Sequence, residues 1–391
     1  MMSFTIRSKR VLTRETIVPA DVIIEHDYII DVVPYKTYGT AGKIHDFGDR
    51  LLVPGFVDLH SDAIEKEIEP RPGASFPVPH ALVDLDKKLA MSGITTMFHA
   101  VAFNDESLVG QRGTAVAAQT ISEIVQCNRQ TLLVDNLVHA RYEITSFNSI
   151  PVIKKLLREK SIRLLSLMDH SPGQGQFKSL ESWKKYHIPV YNMAEQDVDS
   201  FIKDKIEKRT TSLQYLEELT SCARGLGVTL ASHDDDTTGK VDLMYELGIG
   251  ISEFPLNAET AAYAQKRQMP TGMGAPNVVR GQSQNGNISA RSLIEQGLCD
   301  FLCSDYHPCS MLQAVYTMHR EMGIELARAF SYVSTTPARI GGLFDRGKIE
   351  PGLLADILVV EDSNLPKIVM TLKDGTSIYN STNCLCSHAS V

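Results

Sequence analysis

Apolar and polar positions follow two different rhythms along this chain. From residue 53 to about 345, short apolar runs alternate with longer stretches whose apolar residues recur at helical spacing. Toward both ends the helical spacing disappears, and short apolar runs are separated by turn-like polar residues. The middle part contains eight candidate strands: Val53–Leu59, Ile94–Phe98, Leu132–His139, Ile162–Met168, Val228–Ser232, Ile249–Phe254, Gly272–Ala275 and Phe301–Ser304. Helix candidates lie between most of them, at Thr114–Cys127, Ile150–Glu159, Gln214–Leu226, Ser289–Gln296 and Met311–Glu321. Eight strands alternating with helices over roughly 250 to 300 residues have the rhythm of an α/β (β/α)8 TIM-like barrel, whose chemistry sits at the C-terminal strand ends. The outer runs, Phe4–Ile6, Asp21–Glu25 and Tyr28–Val33 on one side and Ala355–Val360, Ile368–Thr371 and Ser377–Tyr379 on the other, read as strands. The pattern predicts a small β-sandwich domain composed of residues 1–52 and 346–380, a barrel over 53–345 and a tail over 381–391.

Composition restricts what such a barrel does. The chain has 391 residues, 43% of them hydrophobic, enough for a large core and a smaller one. It contains no apolar run of about 18 residues, and its start, MMSFTIRSKRVLTRE, lacks the apolar segment of a signal peptide. A cytoplasmic protein with no membrane partner is expected. Seven cysteines, an odd number, fit reduced thiols; Cys384 and Cys386 have no second pair at ligand spacing, so the tail reads as disordered. A net charge of -8 without a basic block argues against nucleic acid. An anionic small substrate stays open, because a pocket can carry the opposite sign to the surface.

The candidate chemistry gathers at the strand ends. Leu51–Val57 runs apolar into His60-Ser61-Asp62, and strand alternation puts His60 and Asp62 on one side, as two ligands ready for a divalent metal. Past the other strands come His99, Asn104 and Asp105; His139, Arg141 and Glu143; Asp169 and His170; His233 with Asp234, Asp235 and Asp236; Glu253; Asn277 and Arg280; and Asp305, Tyr306 and His307. Any one of these reads as a helix cap or a loop residue. Their recurrence on most strands points to a metal centre at the barrel mouth.

These residues carry a resemblance. PGFVDLHSD, CSDYHP, Thr336-Pro337-Ala338 and GKIEPGLLADILVV are similar to motifs of the amidohydrolase superfamily. HSDAIEKEIEPRPGASFP, SHDDDT, EFPLNAETA, GMGAPNVVRGQSQNGN and SDYHPCSMLQAV resemble its phosphonate-metabolism branch, over about residues 3 to 380. The resemblance implies metal-dependent hydrolysis of the 5-triphosphate of alpha-D-ribose 1-methylphosphonate 5-triphosphate, releasing pyrophosphate, in the carbon-phosphorus lyase pathway. Two positions depart from the superfamily pattern: H-x-H on strand one is His60-Ser61-Asp62, and the strand-six histidine is Glu253. No lysine ends strand four, so a carboxylated-lysine bridge is not supported, and Glu143 is the substitute carboxylate. The ligand set expected on this basis is His60, Asp62, Glu143, His170, His233 and Asp305, holding one or two divalent ions, with Zn, Mn, Fe or Mg all open.

Asp305 is placed to take a proton from a metal-bound water, as ligand and base in turn. A triphosphate needs cations, for which Arg71 and Arg280 come first, since guanidinium grips phosphate in two-pronged fashion, and Lys66 and Arg141 second. The glycine-rich loops Gly173–Gly175 and Gly281–Asn287 offer backbone N–H groups but match no P-loop. At least two of Asp234–Asp236 read as solvated loop residues. The expected partner is a phosphorylated ribose, with a homo-oligomer possible. Two other functions compete: an amidohydrolase acting on a C–N bond, which would not need Arg71 and Arg280, and a non-catalytic scaffold, which would not need the ligand set.

Overall fold

The computed structural model describes residues 3–14, 16–37, 43–104, 112–128, 132–175, 179–191, 197–283 and 286–381. Asp105, Gln284, Asn285, Cys384, Cys386 and the predicted tail beyond Ser381 lie outside them. Among the described residues no helix is long and apolar enough to cross a membrane.

Both ends of the chain build one sheet. Its strands are β1 (Ser3–Thr13), β2 (Thr16–Glu25), β3 (Tyr28–Pro34), β4 (Lys43–Asp46) and β5 (Leu51–Pro54), joined after the barrel by β14 (Ile357–Glu361), β15 (Lys367–Lys373) and β16 (Thr376–Asn380). The order is β16-β15-β14-β5-β1-β2-β3, with β4 also on β1. β4 and β5 pair with successive halves of β1, Phe4–Arg7 and Arg10–Val11, on either side of an irregularity between Ser8 and Val11. Two-residue alternation explains the unbroken apolar runs LLVP and ILVV. Leu52, Ile357 and Val359 pack with Ile6, Val22 and Val369 in a core of this sheet, while Leu51, Val53, Leu358 and Val360 join the core around the barrel.

The second sheet holds β6 (Phe56–Ser61), β7 (Ile94–Phe103), β8 (Asp135–Glu143), β9 (Leu164–Met168), β10 (Thr229–His233), β11 (Ile251–Glu253), β12 (Thr271–Gly274) and β13 (Phe301–Cys303). They pair in parallel in chain order, and a bridge between Ser61 and Asp305 closes the eight into a barrel. Val57, Leu59, Phe98, Leu164, Ala231, Ile251 and Phe301 fill its interior. Space there is tight: a Cβ on Gly272 would come within 2.2 Å of the Phe301 ring.

Most sequence-predicted elements recur within a few residues, and three differ in ways that matter. The run Val53–Leu59 is divided, since Leu51–Pro54 pairs with β1 and β14 in the terminal sheet and the barrel strand begins at Phe56. Gly55 makes the change of sheet, where a Cβ would collide with Thr95. β7 and β8 run past their predicted ends to Phe103 and Glu143, so His99, His139 and Arg141 stand inside the wall rather than beyond it. Between β9 and β10 two further helices, Leu180–Tyr191 and Val198–Thr211, precede the expected one, which spans Leu213–Gly225. They pack around Trp183, Val198 and Ile202, a satellite core separate from the barrel's.

Candidate metal centre

The innermost polar residues of the barrel come from its strands. β6 has a register shift between Asp58 and Ser61, which brings His60 as well as Leu59 to the interior. His60 there lies with its ring 5.0 Å from that of His139 and its Nδ1 3.4 Å from Glu253 Oε1, across the barrel. His139 is fixed by both nitrogens, with Nδ1 3.0 Å from the Leu59 carbonyl and Nε2 2.8 Å from the Ser166 hydroxyl. Burial pushes the His139 imidazole down to about 3, so it is neutral at pH 7. Burial opposes charge on His60 too, but Glu253 and Asp62 overcome it and raise that imidazole to about 10. The site therefore stabilises a positive charge next to Glu253, and a divalent ion would displace that proton.

Nearer the mouth, His170 follows β9, His233 ends β10, and Asp234 comes next. His170 Nε2 and His233 Nδ1 lie 3.7 Å and 3.2 Å from Asp234 Oδ2. Against the cost of burial, His233 and His170 hold the Asp234 carboxyl well below the usual range. Asp62 sits 3.6 Å from His60 Nε2 and 2.7 Å from Arg141 Nη1, while Asp305 is linked to strand one through its backbone, its N–H donating to the His60 carbonyl at 3.0 Å. Burial, with Asp62 adding to it, pushes the Asp305 carboxyl up to about 6.

Three sets of ligand atoms lie within 4.8 Å of one another: His60, His139 and Glu253; His170, His233 and Asp234; and His60, Asp62 and Asp305. His60 belongs to two of them, and its ring is 5.5 Å from that of His233, so the sets form one connected centre. Two observations fit these residues to a metal. His233 Nδ1, Asp234 Oδ2 and Glu253 Oε2 are buried without a well-aligned hydrogen bond, the first two facing one another at 3.2 Å, a costly condition that an ion relieves. Asp234, Phe254 and Asp305 also take left-handed backbone conformations, φ 54°, 56° and 56°, at the ends of three strands, and such strain in non-glycine residues gathers at functional sites. The donors are imidazole nitrogen and carboxylate oxygen, which suit Zn, Mn and Fe, with Mg favoured only by the oxygens.

Five of the six expected ligands, His60, Asp62, His170, His233 and Asp305, fall in these sets. Glu143 does not; it stands behind His170, with Oε2 3.0 Å from His170 Nδ1. His139, Glu253 and Asp234 belong to the sets and were not chosen from sequence, although each was visible near a strand end. Arg141 is buried between Asp62 and His233, inside the centre rather than free at its rim. Arg71 is exposed in the turn Arg71–Ala74, and among the described residues no hydrogen bond or ion pair ties it to the centre. Lys66 and Arg280 meet at Tyr306, Lys66 Nζ lying 4.7 Å over its ring and Arg280 Nη1 donating to its hydroxyl at 3.3 Å. The aspartate run is not solvated as expected. Asp235 is fully buried and accepts from the Ser232 and Ser252 hydroxyls, and Asp236 accepts from the Gly175 N–H.

The amidohydrolase family model matches residues 192–379. The alpha-D-ribose 1-methylphosphonate 5-triphosphate diphosphatase of Escherichia coli (strain K12) is 33% identical over 316 residues, 79% of this chain and 82% of that one. The chain belongs to the amidohydrolase family. It is a hydrolase with a barrel fold and a metal-competent centre. Imidazolonepropionase from Deinococcus radiodurans is 22% identical to this amidohydrolase over 373 residues, 90% of this chain and 88% of the relative. Dihydropyrimidinase from Brevibacillus agri shares the fold, with a TM-score of 0.66 over 97% of this chain and 95% of that one, at 12% identity.

Proposed function

We propose that this amidohydrolase cleaves the 5-triphosphate of alpha-D-ribose 1-methylphosphonate 5-triphosphate to the 5-phosphate and pyrophosphate, in phosphonate catabolism by the carbon-phosphorus lyase pathway. The observation that carries the reading is the 33% identity, over four fifths of both chains, with the Escherichia coli diphosphatase. The chemistry of the site supports it.

A divalent ion bound at the centre would supply an acidified water and neutralise charge on phosphoryl oxygens. The residues do the rest. His60, Asp62, His139, His170, His233, Asp234, Glu253 and Asp305 are the residues that would hold one ion or a pair. Asp305, whose carboxyl lies with the His60 imidazole and the Asp62 carboxyl at the strand-eight end, accepts a proton from the attacking water and passes it on. Arg141 keeps Asp62 ionised and in place. Lys66 and Arg280, on the short helices Ala63–Ile68 and Ala275–Arg280 that follow strands one and seven, bind the phosphate tail beside Tyr306 on the loop after strand eight, near where TIM barrels often hold phosphate.

The test is incubation with ribose 1-methylphosphonate 5-triphosphate, ATP and a hydantoin in parallel, followed by ³¹P NMR. Pyrophosphate from the first substrate is expected. Orthophosphate alone, or no phosphorus product, rejects the reading, and ring opening of the hydantoin would favour the C–N hydrolase instead.

A further inference from the structure

Lys205 is 1% exposed, and its ammonium lies in the barrel's polar mouth although its helix, Val198–Thr211, belongs to the insertion between β9 and β10. Nζ donates to the Thr145 hydroxyl at 3.0 Å and lies 3.8 Å from Glu143 Oε1. Glu143, also 1% exposed, uses its other oxygen on His170 Nδ1 and accepts from the His170 backbone N–H at 3.3 Å. Two more contacts from the inserted helices reach the same loop. Trp183 Nε1 donates to the His170 carbonyl at 2.8 Å, and Arg209 Nε donates to Asp169 Oδ2 at 2.7 Å.

A buried ammonium is expensive unless its charge has a use, and a surface lysine would hold the helix as well by its stem alone. Here its charge faces the carboxylate that orients one ligand. With Glu143 accepting from Nδ1–H, His170 is oriented so that its Nε2 would face an ion held together with Asp234 and His233. Carboxylates behind ligand histidines fix the tautomer and raise donor strength in this way, and their loss commonly costs 10- to 100-fold in metal affinity.

We propose that Lys205 is a positioning residue of the metal centre: through Glu143 it sets the orientation of His170, so that the inserted helices and the outer ligand set assemble together. The proposal rests on the metal reading of the centre and goes beyond it. By reciprocity, metal binding stabilises the inserted helix as much as the docked helix stabilises metal binding.

The experiment titrates chelator-stripped protein with Mn²⁺ calorimetrically, for the unaltered chain, Lys205→Met and Ile202→Ala, with hydrogen exchange of residues 198–211 followed with and without Mn²⁺. Ile202 packs in the satellite core, so its truncation loosens the insertion without touching the charge. The expected result is about 10- to 100-fold weaker Mn²⁺ binding in Lys205→Met, less than threefold in Ile202→Ala, and Mn²⁺-dependent protection of 198–211 that Lys205→Met abolishes. Unchanged Mn²⁺ binding in a folded Lys205→Met protein overturns the proposal. Equal weakening in both variants also overturns it, since the lysine would then act only by packing. Should Lys205→Met not fold, Thr145→Val, which removes the hydroxyl holding Nζ, replaces it with the same two outcomes at a smaller expected loss, about three- to tenfold. If the unaltered chain takes up neither Mn²⁺ nor Zn²⁺, the metal reading itself fails, a result distinct from either outcome above.

Discussion

The inner and outer ligand sets of this centre are held by different means. His60, His139 and Glu253 stand on β6, β8 and β11, inside regular hydrogen-bonded ladders, and are at most 1% exposed. A parallel barrel fixes such positions through register alone, and the one irregularity used is the shift beside His60. His170 and Asp234 have no ladder. One depends on Glu143, Lys205 and Trp183, and the other on a left-handed turn after β10. The inner set is thus part of the fold, whereas the outer set is added to it by an insertion.

That contrast breaks or holds under measurement. Asp305 links the sets, since its backbone closes the barrel at His60 and its carboxyl faces Asp62. Asp305→Asn should lower kcat by about 10²- to 10⁴-fold with little change in melting temperature. Pyrophosphate release at the unaltered rate would remove Asp305 from the proton path.

The next largest effect separates the two sets directly. His139→Leu leaves the Ser166 hydroxyl and the Leu59 carbonyl without their partner in a dry interior, and should cost about 1–3 kcal/mol in urea unfolding of the metal-free protein. His170→Ala, at a partly exposed position, should cost less than about 1 kcal/mol yet weaken Mn²⁺ binding at least as much as Lys205→Met. Equal stability losses would mean that the inner set is no more part of the fold than the outer.

Arg280 lies outside both sets, exposed beside Tyr306. Arg280→Ala should raise KM about tenfold and leave kcat unchanged, as for a group that binds the phosphate tail equally in ground and transition states. A fall in kcat alone would put Arg280 nearer the reacting phosphorus.

The smallest effect is a pH dependence of stability from a barrel histidine with no ligand role. His99 is buried in β7 with Nε2 2.7 Å from Asn136 Oδ1, and burial pushes its imidazole down to about 4. Its unfolded value is the ordinary one, near 6.5, so below that pH the unfolded chain takes up a proton that the folded chain refuses. The contribution is fully present above about pH 6.5 and is lost as pH falls toward 4. Between pH 7.5 and 6, His99→Gln should lose about 1 kcal/mol less stability than the unaltered chain. Parallel urea midpoints for the two proteins over that range would assign the titration elsewhere.

The sequence by itself determined the barrel, a small β domain drawn from both termini, the family and the kind of chemistry, although it read that β domain as a sandwich and the structure makes it one sheet. Those follow from local periodicity, from turn residues and from motifs such as PGFVDLHSD, each contained in a short stretch of chain. It also picked out His60, Asp62, His170, His233 and Asp305, which the structure brings into the candidate sets, because strand ends are visible as the place where an apolar run stops. It misjudged depth. β8 continues four residues past His139 to Glu143, so a histidine read as lying at the strand end is an inner ligand candidate, and a glutamate read as a bridge stands behind His170. Lys205 could not be found at all, as it lies 35 residues after His170 on a helix whose exposed and buried faces differ little in hydrophobicity. Only the tertiary structure decided these points, because depth in a barrel and the meeting of Lys205 with Glu143 depend on strand register and helix docking, which no local pattern encodes.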